Sequence, residues 1–125
     1  MRYMMVIKHA EMTGPVDIPK GLNDAMGEFV GAEFASGRLV DTGGLAPTKR
    51  GKRIRSHDGK LTATDGPFTE TKEIIGGYAI VKVNSAKEAE DVATKFMEIH
   101  RVHWPEFDCT CEFRQIEEPD APAAS

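Results

Sequence analysis

The chain has 125 residues, with 16 Lys and Arg against 20 Asp and Glu, a formal net charge of −4 and 40% hydrophobic residues. That length suits one domain, and the acidic balance argues against nucleic acid as the main partner. Two cysteines make no disulfide scaffold, and the longest apolar runs, Met4–Ile7 and Tyr78–Val81, fall far short of the ~20 residues of a membrane span.

Tyr3–His9 is apolar on both sides as far as Lys8, the pattern of a central strand. Glu11–Pro19, with Gly14, Pro15 and Pro19, is a loop. From about Lys20 to Ser36, Leu22, Met26, Phe29, Val30 and Phe34 recur at spacings of three and four, which predicts the apolar stripe of a helix. Gly37 is its expected C-cap. Gly27 and Gly31 weaken the helix by up to ~1 kcal/mol each, and their spacing predicts a close approach to a sheet. Leu39–Leu45 reads as a short strand in which Gly43-Gly44 marks a bulge or a close backbone contact.

Residues 49–60 carry Lys49, Arg50, Lys52, Arg53, Arg55 and Lys60 against Asp58 alone. Asp58-Gly59, between Arg53–His57 and Lys60–Thr64, predicts a hairpin. Its charges read first as protection of an exposed ribbon from edge pairing, and no aromatic residue is interleaved for base stacking. Tyr78–Val83 follows Gly76-Gly77 as a strand. Ser85 and Glu88 form a capping box for a helix that aligns Ala86, Ala89, Val92, Ala93, Phe96, Met97 and His100 until Pro105 stops it. Cys109–Ile116 alternates as a final strand. Residues 1–117 are thus expected to form one domain, and 118–125 a flexible tail of prolines, small residues and acids. Without a leader pattern the domain is expected to be cytoplasmic.

The order β, α, β, hairpin, β, α, β is that of an α+β, ferredoxin-like split βαβ fold with an inserted β-hairpin. Two helices cover one face of such a sheet. The other face would show apolar side chains to water, which predicts a homodimer joined through its sheets.

The densest chemistry lies in Asp65-Gly66-Pro67-Phe68-Thr69-Glu70-Thr71-Lys72-Glu73. In a ligand site Lys72 would hold an anionic group, Glu70 or Glu73 would accept hydrogen bonds, and Phe68 would stack or exclude water. His9, at the end of the first strand, is the candidate general base, oriented by Asp41 or Asp65. Asp65 has a second reading as a turn residue whose carboxylate accepts amide hydrogens ahead of it. His100, His103, Cys109 and Cys111 are zinc-ligand types. Trp104-Pro105 interrupts them and Cys-x-Cys lacks knuckle spacing, so no metal is expected and the cysteines read as core residues. Dinucleotide and P-loop patterns are absent, and no cofactor is expected.

The run Asp65-Gly66-Pro67-Phe68, followed by Glu70-Thr71-Lys72-Glu73 and Gly76-Gly77-Tyr78, resembles the signature of the DGPF-motif branch of the YCII-related family. Arg2–Lys8 and Glu112–Ile116 sit where that family has its first and last strands. The resemblance implies a dimeric α+β barrel of ferredoxin-like subunits. It also implies a His–Asp pair in the cleft, for which His9 and Asp41 are nearest by placement. Two functions fit. One is a small-molecule-binding dimeric domain with simple acid–base chemistry, of lyase or isomerase type, on a polar or aromatic compound. The other is a non-catalytic regulatory or interaction module, which the resemblance links to sigma-factor-dependent transcription.

Overall fold

β1 (Arg2–His9) pairs antiparallel with two strands at once, β5 (Ile74–Lys82) on one side and β6 (Cys109–Gln115) on the other. β2 (Leu39–Gly44) joins the far edge of β5, so the sheet runs β2-β5-β1-β6. α1 (Lys20–Ser36) and α2 (Ala86–His103) make the crossovers β1-α1-β2 and β5-α2-β6. This mixed α+β arrangement, with its antiparallel sheets and two helices, is compatible with the ferredoxin-like order. The computed structural model describes residues 1–118, so the expected tail lies, apart from Glu118, outside the described residues.

Strand alternation decides which side chains meet the helices. Tyr3 and Met5 of β1, Val81 of β5 and Leu39 of β2 face Ala89, Val92 and Ala93 of α2, and Val81, 1% exposed, is the most deeply buried large side chain. The opposite face pairs Met4 with Ile80, Val6 with Tyr78 and Lys8 with Ile75. Those side chains are half-buried, save Ile75, which is exposed. Burial of β1 on both sides was expected, but the two helices lie on one side.

The capping box of α2 is present in a shifted form. Ser85 Oγ accepts the Glu88 amide at 3.1 Å, while Glu88 Oε2 accepts the amide of Asn84, one residue before the cap, at 3.2 Å. α1 departs further from its sequence pattern. Leu22 is buried, but Phe34 is 46% exposed, and the buried residue of the last turn is Glu33. The reason lies just beyond the helix. Arg38, after the left-handed Gly37 cap at φ 83°, donates from Nη2 to Glu33 Oε2 at 2.6 Å. Glu33 Oε1 and Arg38 Nε are buried without partners. Gly27 and Gly31 do not draw the sheet close, since a Cβ on either would meet nothing within 4 Å. In β2 the irregularity falls at Val40 rather than at Gly43-Gly44. Gly43 instead makes the close contact, because a Cβ there would lie 3.1 Å from the Tyr78 ring.

β3 (Lys52–His57) and β4 (Lys60–Asp65) form a separate two-stranded ribbon. Asp58 and Gly59 hold φ of 50° and 76°, the paired positive values of a tight hairpin turn. Every ribbon side chain is exposed. Register places Ile54, Ala63 and Leu61 on one face and Arg53, Arg55, His57, Lys60 and two threonines on the other. Among the described residues no helix is long and apolar enough to cross a membrane.

The cap of α2 supplies a stability test. Ser85→Ala removes the acceptor for the Glu88 amide and is expected to cost ~1 kcal/mol, read as a lower urea midpoint at unchanged m-value.

Candidate functional site

Between the sheet and the helices lies a cavity of about 490 Å³. Its walls are apolar: Met5 and Ile7 of β1, Met26, Phe29 and Val30 of α1, and Val92 and Phe96 of α2. Met12, Val16 and Ile18, each at least 39% exposed, line it from the β1–α1 loop and mark its mouth. Volume and lining are those of small-molecule sites in general.

His9 enters this cavity because it follows Tyr3, Met5 and Ile7 on the same face of β1. The pairing with β5 slips between Ile7 and Lys8, leaving Gly76 as the extra residue of a bulge. A Cβ on Gly76 would lie 2.1 Å from His9 Nε2, so only glycine admits the imidazole there. His9 Nδ1–H donates to the Ala10 carbonyl at 2.8 Å.

An aromatic group surrounds His9. Its ring lies 5.2 Å from Phe107, which stacks on Trp104 at 4.5 Å, while His100 packs 4.5 Å from Phe96 and 6.3 Å from Phe107. His100 Nδ1–H donates to the Phe96 carbonyl at 2.9 Å. In both neutral imidazoles Nδ1 therefore carries the proton and Nε2 the lone pair. Cys111 also lines the cavity, and burial pushes its thiol up to about 11, which makes it a packing residue rather than a nucleophile. Cys109 and Cys111 are free and half-buried, and His103 packs against Gly21 instead of joining them. Among the described residues no three metal-ligating side chains gather.

The Asp65–Glu73 loop is built elsewhere, around Thr48. A single 3-10 turn (Thr48–Arg50) follows β2. Gly66 passes so close that a Cβ would fall 1.7 Å from the Thr48 carbonyl oxygen. The next peptide bond, Gly66–Pro67, is cis. Glu11 accepts both the Thr48 hydroxyl and, at 2.9 Å, the Thr48 amide, and Thr48 Oγ1 accepts the Phe68 amide at 3.2 Å. Phe68 lies beneath the Arg53 guanidinium, 3.9 Å from carbon to ring centroid. Arg53 also pairs with Glu70 and donates to Thr71 Oγ1 at 2.8 Å. Arg53 thus holds the Glu70 carboxyl below its usual range.

The expected site residues consequently divide. His9 lines the cavity; Phe68 and Lys72 line a second, open groove of about 730 Å³, together with Lys49, Thr69 and Thr71. Met12 belongs to both. Asp65 lines neither: it ends β4, 79% exposed, with Lys52 Nζ 3.2 Å from its carboxylate. Glu73 is exposed. Asp41 accepts the Tyr78 hydroxyl at 3.0 Å, which holds that phenol above its ordinary range. Neither aspartate bonds to His9; the Ala10 carbonyl orients the ring. Sequence reasoning did not assign Gly76, Trp104 or Phe107 to the site, and it placed His100 only on the helix stripe. The signal was there in part, since Phe96 and His100, four apart, share one face of α2, and Trp104 caps the same helix.

Glu11 gives a pH test of the loop's anchor. The Thr48 hydroxyl, and after it the Thr48 amide, hold the Glu11 carboxyl below its ordinary value. A carboxyl depressed on folding adds stability above its unfolded value of about 4.3 and loses it as pH falls through the lower folded value. Wild type is therefore expected to be more stable than Glu11→Gln at neutral pH. The gap should close as acid protonates Glu11, as read by denaturant unfolding at a series of pH values.

Comparison with known proteins gives a family but no activity. A 58-residue segment, 46% of this chain, is 36% identical to an uncharacterised protein of Rhizobium meliloti (strain 1021) and spans about half of that relative, 47% of its length. The model of the YCII-related domain matches residues 1–99, from β1 through most of α2, and so takes in the His9 bulge, the Thr48 anchor and the Asp65–Glu73 loop. The chain belongs to the YCII-related domain family.

Proposed function

We propose that this protein is a small-molecule-binding domain whose ligand occupies the cavity between sheet and helices, where His9 serves as the proton-transfer group. The observation that carries this reading is a cavity of about 490 Å³, apolar on nearly all sides, with an oriented imidazole in its wall. The chemistry suited to it is acid–base, of elimination or isomerisation type, because one imidazole with a free Nε2 suffices to take up and return a proton. Phe68 and Lys72 then line the second groove rather than serve the proton transfer, with Lys72 and Lys49 as its cations. Glu70 braces Phe68 through Arg53, while Asp65 and Glu73 lie outside the groove.

The same reading includes the assembly. Met4, Val6, Tyr78 and Ile80 form an apolar patch on the face away from the helices. A second copy laid over that face would make the dimeric α+β barrel of the DGPF-motif branch, whose signature Asp65-Gly66-Pro67-Phe68 matches. Residues 1–117 form the single domain of this proposal. A rival reading, a non-catalytic interaction module, is favoured by one observation: the ribbon exposes Ile54 at 64% and Leu61 at 73% beside its basic face.

A thermal-shift screen of small acids, phenols and alcohols on wild type, His9→Ala and Lys72→Ala separates these cases. A true ligand at a hundredfold excess over its Kd stabilises by ~2.7 kcal/mol. Loss of the shift in His9→Ala and its retention in Lys72→Ala is the expected result; the reverse moves the ligand to the second groove, and no shift with any compound favours the interaction module. Light scattering at micromolar concentration should give about twice the 13.7 kDa of one chain, and a monomer there would remove the barrel.

A further inference from the structure

The polar groups of the cavity wall narrow what it takes. Its charged carboxylate, Glu33, is neutralised by Arg38, whose Nη2 lies 2.6 Å from Oε2, while Oε1 is buried without a partner. Among the described residues no lysine or arginine lines the cavity. A carboxylate or phosphate inside would lose its hydration with no cation to replace it. The Thr42 hydroxyl is spent on the Tyr78 carbonyl. With Glu33 neutralised and no cation among the described wall residues, neither an anion nor a cation finds an uncompensated charge there. A purely hydrocarbon ligand would leave polar atoms of the wall, the ring nitrogens of His100 and Trp104 among them, without a partner.

Those nitrogens lie at the α2–β6 end. His100 gives its Nδ1–H to the Phe96 carbonyl, so its Nε2 presents a lone pair and asks for a donor. Its ring packs against Phe96, and the hydrogen bond of Nδ1 sets its orientation, which makes it a positioned acceptor. His9 Nε2 is left for the proton transfer proposed above. Trp104 adds an indole N–H to the same end. A hydroxyl group answers both needs, since it donates one hydrogen bond and accepts another.

We propose that the cavity selects a neutral, largely apolar alcohol, anchored by its hydroxyl on His100 Nε2. The inference rests on the cavity being the ligand site and adds the ligand's class and its anchor. His100 is then a binding residue distinct from His9.

Trp104, the chain's single tryptophan, lines the cavity and reports its occupancy by fluorescence. The probes are octan-1-ol, its isomer heptyl methyl ether, which lacks the O–H, and octanoate, titrated at about pH 8.5, above the range in which imidazole ordinarily titrates. Octanol is expected to bind about tenfold tighter than the ether, the size of one hydrogen bond, and octanoate more weakly than either. His100→Phe should bind octanol and the ether alike, with the ether bound as in wild type, which also shows that the variant is folded. His100→Gln, whose amide oxygen still accepts, should keep part of the preference. Equal binding of alcohol and ether by wild type overturns the inference while leaving the cavity as a site. A preference that survives in His100→Phe overturns His100 as the anchor, and tighter octanoate binding overturns the neutral class. No response to any probe, together with no thermal shift, overturns the cavity reading itself and the inference with it.

Discussion

Antiparallel pairing of β1 with β5 and β6 is the constraint on which the remaining architecture hangs, and it is interrupted at one place. Between Ile7 and Lys8 the register slips by one residue of β5, and that residue is Gly76. An ordinary ladder would run on and bring a side chain of β5 up against His9. With glycine at the bulge, the imidazole lies flat against main chain and its Nδ1–H reaches the Ala10 carbonyl. The slip thus turns the end of a structural strand into the edge of a cavity, without any change in strand direction. Bulges commonly re-aim a side chain in this way.

A second constraint couples the mouth of the cavity to the loop that follows the ribbon. Glu11 leaves β1 two residues after His9 and binds Thr48, and Thr48 in turn holds the Phe68 amide and the close passage of Gly66. The next residue, Met12, lines both the cavity and the second groove. The Asp65–Glu73 loop is thus joined to the cavity mouth through two hydrogen-bonded residues, Glu11 and Thr48. Within the loop, Arg53 gathers Phe68, Glu70 and Thr71 into one corner.

Periodicity made most of the fold legible, because the strands and α2 follow their patterns closely. The Ser85 cap, the Gly37 cap and the Asp58-Gly59 turn each rest on local chemistry that needs no tertiary partner. The misreadings in α1 have the opposite character. Phe34 and Glu33 exchange their expected environments because Arg38, outside the helix, reaches back to a carboxylate. No pattern within the helix encodes that. For the site, His9 was legible by its place at the end of a central strand. Its neighbours were not, because Gly76, His100 and Phe107 come together from three separate segments, and the distances that unite them exist only after β1, β5 and α2 have packed. Asp41 and Asp65 looked like partners for His9 by proximity to strand ends, and both point to other groups.

The ribbon has an electrical consequence. A chain of net charge −4 carries six cations between Lys49 and Lys60 against one acid. Two of them stand in the 3-10 turn at the base of the ribbon and four on the ribbon itself, all exposed. The compensating acidic excess lies on the rest of the molecule, so the protein is a dipole with its positive pole at the arm. Such a molecule turns in the field of an acidic surface and arrives ribbon first, although its total charge is repelled. Added salt shortens the reach of that orientation to about 8 Å at physiological strength. The arm's influence on encounters is thus one of heading at close range, and it vanishes into the ionic atmosphere beyond.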